Sequence, residues 1–383
     1  MEKLYLKNCR LFNRTETTVD IEIKNSTIKH IGYHLDSKNY EVIDCHNFLV
    51  SPGFIEVHLQ GAGGSDILDG NIEALEKISH SLASLGTTSF LGTTVVTPED
   101  NSKHITELKK YVNQKLSGAY LLGFHLEGPF INPSKKGGLS EKCIYPPSLE
   151  GIKEILKLSD STVRMMTIAP ELENSLEVIK YLKENNVIPS FAHSEADYKQ
   201  TKKGFEAGIN HVTHFFNAMK PLHHRNPGPL GAIFENENIT AQVISDGHHL
   251  HPSIIRLIYK VLGSKRMILI TDGMKSMGLP EGKYIYNGKE YISEGGAAKY
   301  PDGTLIGSTM SLGNIAYKFM EFTRCSIEEA LNTITINPAK LLKIDDRKGC
   351  ISVGHDADLV LLDNQFNCKA AIIGGEIKYN SLT

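Results

Sequence analysis

Eight short apolar runs, each followed by polar or amphipathic sequence, constrain the fold of this chain more than any other feature. They are GFIEVHL (53–59), TSFLGTT (88–94), LLGFHL (121–126), VRMMTI (163–168), VIPSFA (187–192), INHVT (209–213), ITAQVI (239–244) and MILIT (267–271). Runs of this length alternating with helical stretches read as parallel βα units. The helical stretches are IEALEKISHSLASLG, DNSKHITELKKYVNQ, PSLEGIKEILKLS, LENSLEVIKYLKENN, ADYKQTKKGFEAG and PSIIRLIYKVLG. The fourth puts Leu176, Ile179 and Leu182 near one face and ends in Asn185 and Asn186, which suit a helix C-terminus. Eight parallel units favour an α/β fold closed as a (β/α)8 TIM-like barrel over an open sheet. In such barrels chemistry sits at the C-terminal strand ends.

The two chain ends differ from this middle. Residues 3 to 44 contain alternating stretches such as TVDIEI and TIKHIG, and the last 35 residues return to that character in DLVLLD (358–363) and CKAAII (368–373). Alternation of this kind marks half-buried antiparallel strands. The ends are expected to pair into one small β domain, residues 1–50 plus 350–383, beside a barrel domain at 51–349. The Gly/Pro-rich segments 129–147 and 220–231 read as loops over the barrel mouth.

Composition narrows the partners. Among 383 residues the net charge is −3, and no stretch carries five or six consecutive like charges. Nucleic-acid binding and a polybasic membrane patch are therefore not expected, which leaves a small molecule. There is neither a signal-peptide core at the start nor an apolar run of about 18 residues, so a cytoplasmic location is expected. The 6 cysteines show no Cys-x-x-Cys spacing and read as free thiols.

Four polar residues stand at strand ends: Glu127, His193, His214 and Asp272. One carboxylate and two imidazoles can hold a divalent transition metal such as zinc or iron, and a further carboxylate can move protons for water. Taken singly, each has a plainer reading. Glu127 could cap or salt-bridge, either histidine could be structural, and Asp272 could be an N-cap or a buried hydrogen-bonded acid. Together, on neighbouring strands, they favour the metal. His211 lies three residues before His214 and is read as structural. His58 and Gln60, two apart on the first strand, share a face and form a candidate second metal pair. Gln60 weakens that pair, because an amide oxygen is a poor transition-metal ligand beside imidazole.

The segments HLEGPFI, AHSEA, THFFNAM, SDGHH, LITDGM and GSTMSL, in this order and spacing, resemble the amidohydrolase superfamily, and within it the deacetylases of amino-sugar phosphates. PGFIEVH and the closing GCISVGHDADLVLLD extend the resemblance over nearly the whole chain. It implies a metal-bearing eight-stranded barrel, a small β-sandwich from both chain ends, and a homodimer. It implies Glu127, His193 and His214 as ligands of one metal, zinc or iron, and Asp272 as the proton-transfer residue. His249 would contact the substrate and polarise its acetyl carbonyl, and Asn217 and Ala218 would be donors near the sugar phosphate. Arg225 would reach the phosphate of the neighbouring subunit. The implied reaction is hydrolysis of the acetamide of N-acetylglucosamine 6-phosphate.

This chain departs from the pattern in places. Gln60 replaces the second histidine of two-metal relatives, which favours a single metal, and Leu139 and Ser140 follow Lys135-Lys136-Gly137-Gly138 where relatives often carry a histidine. Asn226 and Gly273 also differ. No residue can be tied to a choice between gluco and galacto epimers. A cyclic-amidase reading would need a lysine after the fourth strand, where IAPE supplies none. A non-catalytic sugar-phosphate-binding protein remains a rival of another class, because fold does not fix function.

Overall fold

Each apolar run forms a strand: β1 (Phe54–Leu59), β2 (Thr87–Thr94), β3 (Tyr120–Glu127), β4 (Val163–Ile168), β5 (Ile188–Phe191), β6 (His211–Val212), β7 (Thr240–Val243) and β8 (Met267–Leu269). The computed structural model describes residues 3–33, 38–46, 48–286 and 288–382. The eight strands lie side by side in chain order, every neighbouring pair parallel. The chain beyond β8 returns to β1. Asp272 N–H donates to the His58 carbonyl at 3.1 Å, and Gln60 N–H donates to the Gly273 carbonyl at 2.9 Å. A parallel bridge between Leu59 and Gly273 completes this seam and closes the barrel.

The last four strands are shorter than their apolar runs. The chain turns off them early: His193, His214 and Asp272 have φ of 48°, 29° and 50°. Left-handed φ is disfavoured for residues with a Cβ, so the surrounding bonds must hold these turns. The barrel interior is also more polar than the apolar runs suggest. Glu56, His58, His125, Thr167 and Gln242 are all buried. His125 Nε2 lies 2.9 Å from Thr167 Oγ1, which in turn lies 3.0 Å from Thr213 Oγ1. Buried polar groups tolerate this only because each finds a partner.

Helices cover the outside, among them Ile72–Ser84, Leu149–Ser159, Ser175–Glu184, Tyr198–Ala207 and Pro252–Leu262. The stretch expected as one helix at 100–114 is a short helix, Lys103–Leu108, followed by a 3-10 turn, Lys109–Tyr111. The segment 220–231, expected as loop, is loop only in its first part: Gly228–Glu235 is a helix. Prolines at 227 and 229 are tolerated at a helix start, where no intrahelical N–H is required. The helix is anchored by buried Leu230, Ala232 and Ile233.

Both chain ends enter one eight-stranded sheet, as expected. Leu49–Pro52 joins them, pairing parallel with Lys3–Leu11 and antiparallel with Leu359–Leu362. Its inward residues, including Leu6, Ile21, Val50, Leu361 and Ile372, form a core of their own. The apolar pattern gave no warning of a further sheet. Gly282–Tyr286, Lys289–Glu294, Ala297–Lys299 and Leu305–Ser308 form a four-stranded antiparallel sheet after β8. It is fixed to the barrel seam where Ser308 N–H donates to the Asp272 carbonyl at 3.0 Å. Gly307 permits that approach: a Cβ there would come within 2.5 Å of the same carbonyl.

Candidate active site

At the C-terminal end of the barrel, three side chains converge on one point. Glu127 Oε1 lies 3.0 Å from His193 Nε2 and 3.1 Å from His214 Nε2, and the two imidazole nitrogens are 3.0 Å apart. All three residues are buried. Glu127 is the last residue of β3, while His193 and His214 each follow their strand by two residues, at the positive-φ turns. His193 is oriented from behind by its Nδ1, which donates to the Lys135 carbonyl at 2.6 Å.

These donors fit a metal. Two neutral imidazole lone pairs and a carboxylate oxygen facing one another in a buried site repel unless a proton or cation lies between them. Ligand atoms bound about 2.0–2.2 Å from one tetrahedral ion stand roughly 3.4 Å apart, close to the spacing found. Burial pushes the Glu127 carboxyl up, but hydrogen bonds with His193 and His214 outweigh it and hold it well below the usual carboxylate range. A carboxylate kept ionised is the form that coordinates.

Asp272 stands beside this cluster. Gln60 Nε2 donates to its Oδ1 at 3.0 Å, and His58 Nε2 lies 3.2 Å from the same oxygen. Burial raises the Asp272 carboxyl, but the His58 charge and hydrogen bond win and leave it lowered. The converse holds for His58: burial lowers it, and Asp272 and then Glu127 raise it to about 9. His58 Nδ1 reaches Gln242 Oε1 at 3.0 Å, so the ring is held at both ends. Glu56 accepts from the His58 and Thr271 backbone N–H groups at 2.9 and 3.0 Å, bracing β1 against the end of β8.

His249 enters from the far side. Its Nδ1 donates to Asp246 Oδ2 at 2.6 Å, and its Nε2 lies 3.8 Å from Asp272 Oδ2. Asp246 also accepts the His248 and His249 backbone N–H groups, at 2.8 and 2.9 Å. Burial works against its charge, yet the His249 bonds hold it below the ordinary aspartate value.

One cavity of about 180 Å³ takes in Gln60, Glu127, His193, His214, His249 and Asp272. Asn217 and Ala218 line it too, and Ala218 has a φ of 54° that turns the loop across the mouth. Its other wall is Leu139, Tyr286, Leu305 and Ile306. Leu139 packs with Val95 and Ile131. Arg225 is absent from this cavity; it is exposed, with Nη1 2.9 Å from His224 Nε2. His211 is buried in the barrel with Nδ1 2.7 Å from Thr240 Oγ1, apart from the ligand cluster. Sequence reasoning missed Asp246, Gln242 and the insertion residues Tyr286 and Ile306. SDGHH contains Asp246, and its position three residues before His249 is the one signal that could have found it.

Comparison with known proteins points to one family. The model of the amidohydrolase family matches residues 49–378. The chain is 37% identical over 388 aligned positions to the N-acetylglucosamine-6-phosphate deacetylase of Bacillus subtilis (strain 168), covering 99% of this chain and 98% of that relative. It is 32% identical over 333 positions to the N-acetylgalactosamine-6-phosphate deacetylase of Escherichia coli O157:H7, covering 86% and 87%. Among solved structures it resembles N-acetylglucosamine-6-phosphate deacetylase from Thermotoga maritima, with a TM-score of 0.85, 34% identity, and coverage of 100% and 99%.

Proposed function

The chain belongs to the amidohydrolase family, and from that premise we propose that it hydrolyses the acetamide of N-acetylglucosamine 6-phosphate to acetate and glucosamine 6-phosphate. The observation that carries this is the convergence of Glu127, His193 and His214 beside Asp272 in one cavity. Glu127, His193 and His214 are assigned as ligands of a single divalent metal. Zinc is the ion we favour, and iron suits the same donors. When bound, the metal supplies positive charge that acidifies water and polarises a carbonyl. His58 and Gln60 are turned to Asp272, which supports one metal and not two.

The residues divide the work as follows. Asp272 takes the proton of the attacking water as the C–O bond forms. It then returns that proton to the sugar nitrogen as the C–N bond breaks, so the amine leaves neutral and not as a strongly basic anion. As an imidazolium, with Nδ1 donating to Asp246, the His249 ring is assigned to donate from Nε2 to the acetyl oxygen. A preorganised donor of this kind contributes about 3–4 kcal/mol to the transition state. Asn217 and Ala218 are assigned to the sugar-phosphate end. Arg225, exposed and outside its own chain's cavity, is assigned to the phosphate in a neighbouring subunit of a homodimer, where a guanidinium suits the oxyanion.

We assign residues 1–50 and 350–383 to the sheet domain and 51–349 to the catalytic barrel. Among the described residues no helix is long and apolar enough to cross a membrane; a cytoplasmic location is part of the proposal. The Escherichia coli relative supports a second reading, the galacto epimer as substrate. Acetate release from both 6-phosphates by metal-loaded protein decides. Faster release from the gluco compound supports the proposal, and faster release from the galacto compound supports the second reading. No release from either, with metal bound, would leave a non-catalytic binder.

A further inference from the structure

Strand β4 supplies no residue to the cluster of Glu127, His193 and His214, yet a carboxylate just beyond its end joins the two segments that hold His193. Glu171 Oε1 accepts from the Glu195 N–H at 2.7 Å and from Asn132 Nδ2 at 3.0 Å, and its Oε2 accepts from Ser194 Oγ at 2.6 Å. Ser194 and Glu195 directly follow His193, whose φ of 48° is disfavoured for a residue with a Cβ. Asn132 belongs to the loop after β3, and its own N–H donates to the His193 carbonyl at 2.9 Å. The loop turns there, with the Lys135 N–H donating to the Asn132 carbonyl at 2.9 Å. That turn presents the Lys135 carbonyl to His193 Nδ1 at 2.6 Å. Glu195 closes the ring of contacts, its Oε1 lying 2.9 Å from Lys135 Nζ. One carboxylate therefore ties down both the turn that aims the imidazole and the loop that holds its far nitrogen.

An imidazole coordinates through Nε2 when Nδ1 carries the proton, and the acceptor behind Nδ1 fixes both the tautomer and the direction of the ring. For His193 that acceptor is a main-chain carbonyl on a loop, so the ring is aimed only as firmly as the loop is anchored. Three donors converge on the two oxygens of Glu171, which suits a carboxylate, a group that only accepts. Resting on the assignment of Glu127, His193 and His214 as metal ligands, we propose that Glu171 is a positioning residue that orients His193 toward the metal. It does so by clamping the loop at Asn132 to the turn at Ser194 and Glu195, and it touches neither metal nor substrate. A residue that only braced the fold would change stability and leave metal affinity alone.

The test measures Zn²⁺ affinity of metal-stripped protein by competition with a chelator, with circular dichroism to verify the fold. Glu171→Ala should weaken Zn²⁺ binding about 10–100-fold, the size typical of losing a group that orients a ligating histidine. Glu171→Gln keeps an oxygen for Asn132 and Glu195 and turns an N–H to Ser194 Oγ, so its affinity should stay within about threefold of wild type. Lys348→Met is the control for stability: it breaks a buried pair with Asp358 beside Tyr120, at the end of β3 away from Glu127. It should destabilise the fold and leave Zn²⁺ affinity within about threefold of wild type. Unchanged affinity in folded Glu171→Ala, or an equal loss in Lys348→Met, would overturn the inference. If Glu171→Ala does not fold, Asn132→Ala removes the loop's bond to Glu171 and should weaken Zn²⁺ binding by about threefold or more; unchanged affinity there would overturn the inference equally. A wild-type protein that binds no Zn²⁺ would instead overturn the metal assignment, and the inference with it.

Discussion

At Asp272 a φ of 50° and two neighbours, Gln60 and His58, fix one carboxylate beside the ligand cluster. Asp272→Asn keeps the shape but cannot accept a proton, so kcat should fall by about 10²–10⁴-fold or more. Metal content, measured by mass spectrometry, should stay at the wild-type value; near-normal turnover would remove Asp272 from the proposed role. Asp246 is the second test at this scale, because its carboxylate sets the His249 ring. Asp246→Asn should lower kcat by about tenfold or more with a smaller change in KM, since the ring's donor role belongs to the transition state. The two residues were not equally legible. Glu127, His193, His214 and Asp272 could be read because a polar residue closing an apolar run is conspicuous. Asp246, Gln242 and Glu171 could not, because their roles depend on which atoms meet across strands.

Among the elements, the eight barrel strands were legible from their apolar runs and the pairing of the chain ends from their alternation. The insertion at 282–308 was not, because its strands are short and bury few residues: Gly282–Tyr286 buries only Tyr286, and Lys289–Glu294 only Tyr291 and Ser293. The helix Gly228–Glu235 was hidden by its prolines. The join between barrel and end sheet rests on Lys348, 5% exposed, whose Nζ pairs with Asp358 and lies 3.1 Å from Asp356 Oδ2. It also sits 5.3 Å from the centre of the Tyr120 ring. Lys348→Met strands the buried Asp358 carboxylate, while Asp356 keeps Arg347, and should cost about 3–5 kcal/mol in denaturant unfolding near neutral pH. Burial lowers the Lys348 amine, but Asp358 and Asp356 outweigh it and raise it above its ordinary value. A raised amine stabilises the fold fully below its unfolded pKa of about 10.4 and loses that contribution as pH rises through the folded value. The difference between wild type and Lys348→Met should therefore persist at pH 9 and shrink only in the more alkaline range. A difference that vanished between pH 7 and 9 would contradict this.

For the whole molecule, the assignment of Arg225 to a neighbouring subunit makes a prediction that neither residue nor element can test alone. Arg225→Ala and Asp272→Asn proteins should each be impaired. Mixed and reassembled, they should regain activity, because a hybrid dimer has one site with an intact Asp272 and an intact partner arginine. No recovery in verified hybrids would return Arg225 to the solvent. If Glu127, His193 and His214 hold the metal with which Asp272 cleaves an acetamide, activity must depend on that metal in unit ratio. The most direct measurement titrates metal-stripped protein with Zn²⁺ while following acetate release from N-acetylglucosamine 6-phosphate. Release should be absent at the start and rise to saturation near one equivalent per chain. Release undiminished by stripping, or none at any zinc concentration, would contradict it.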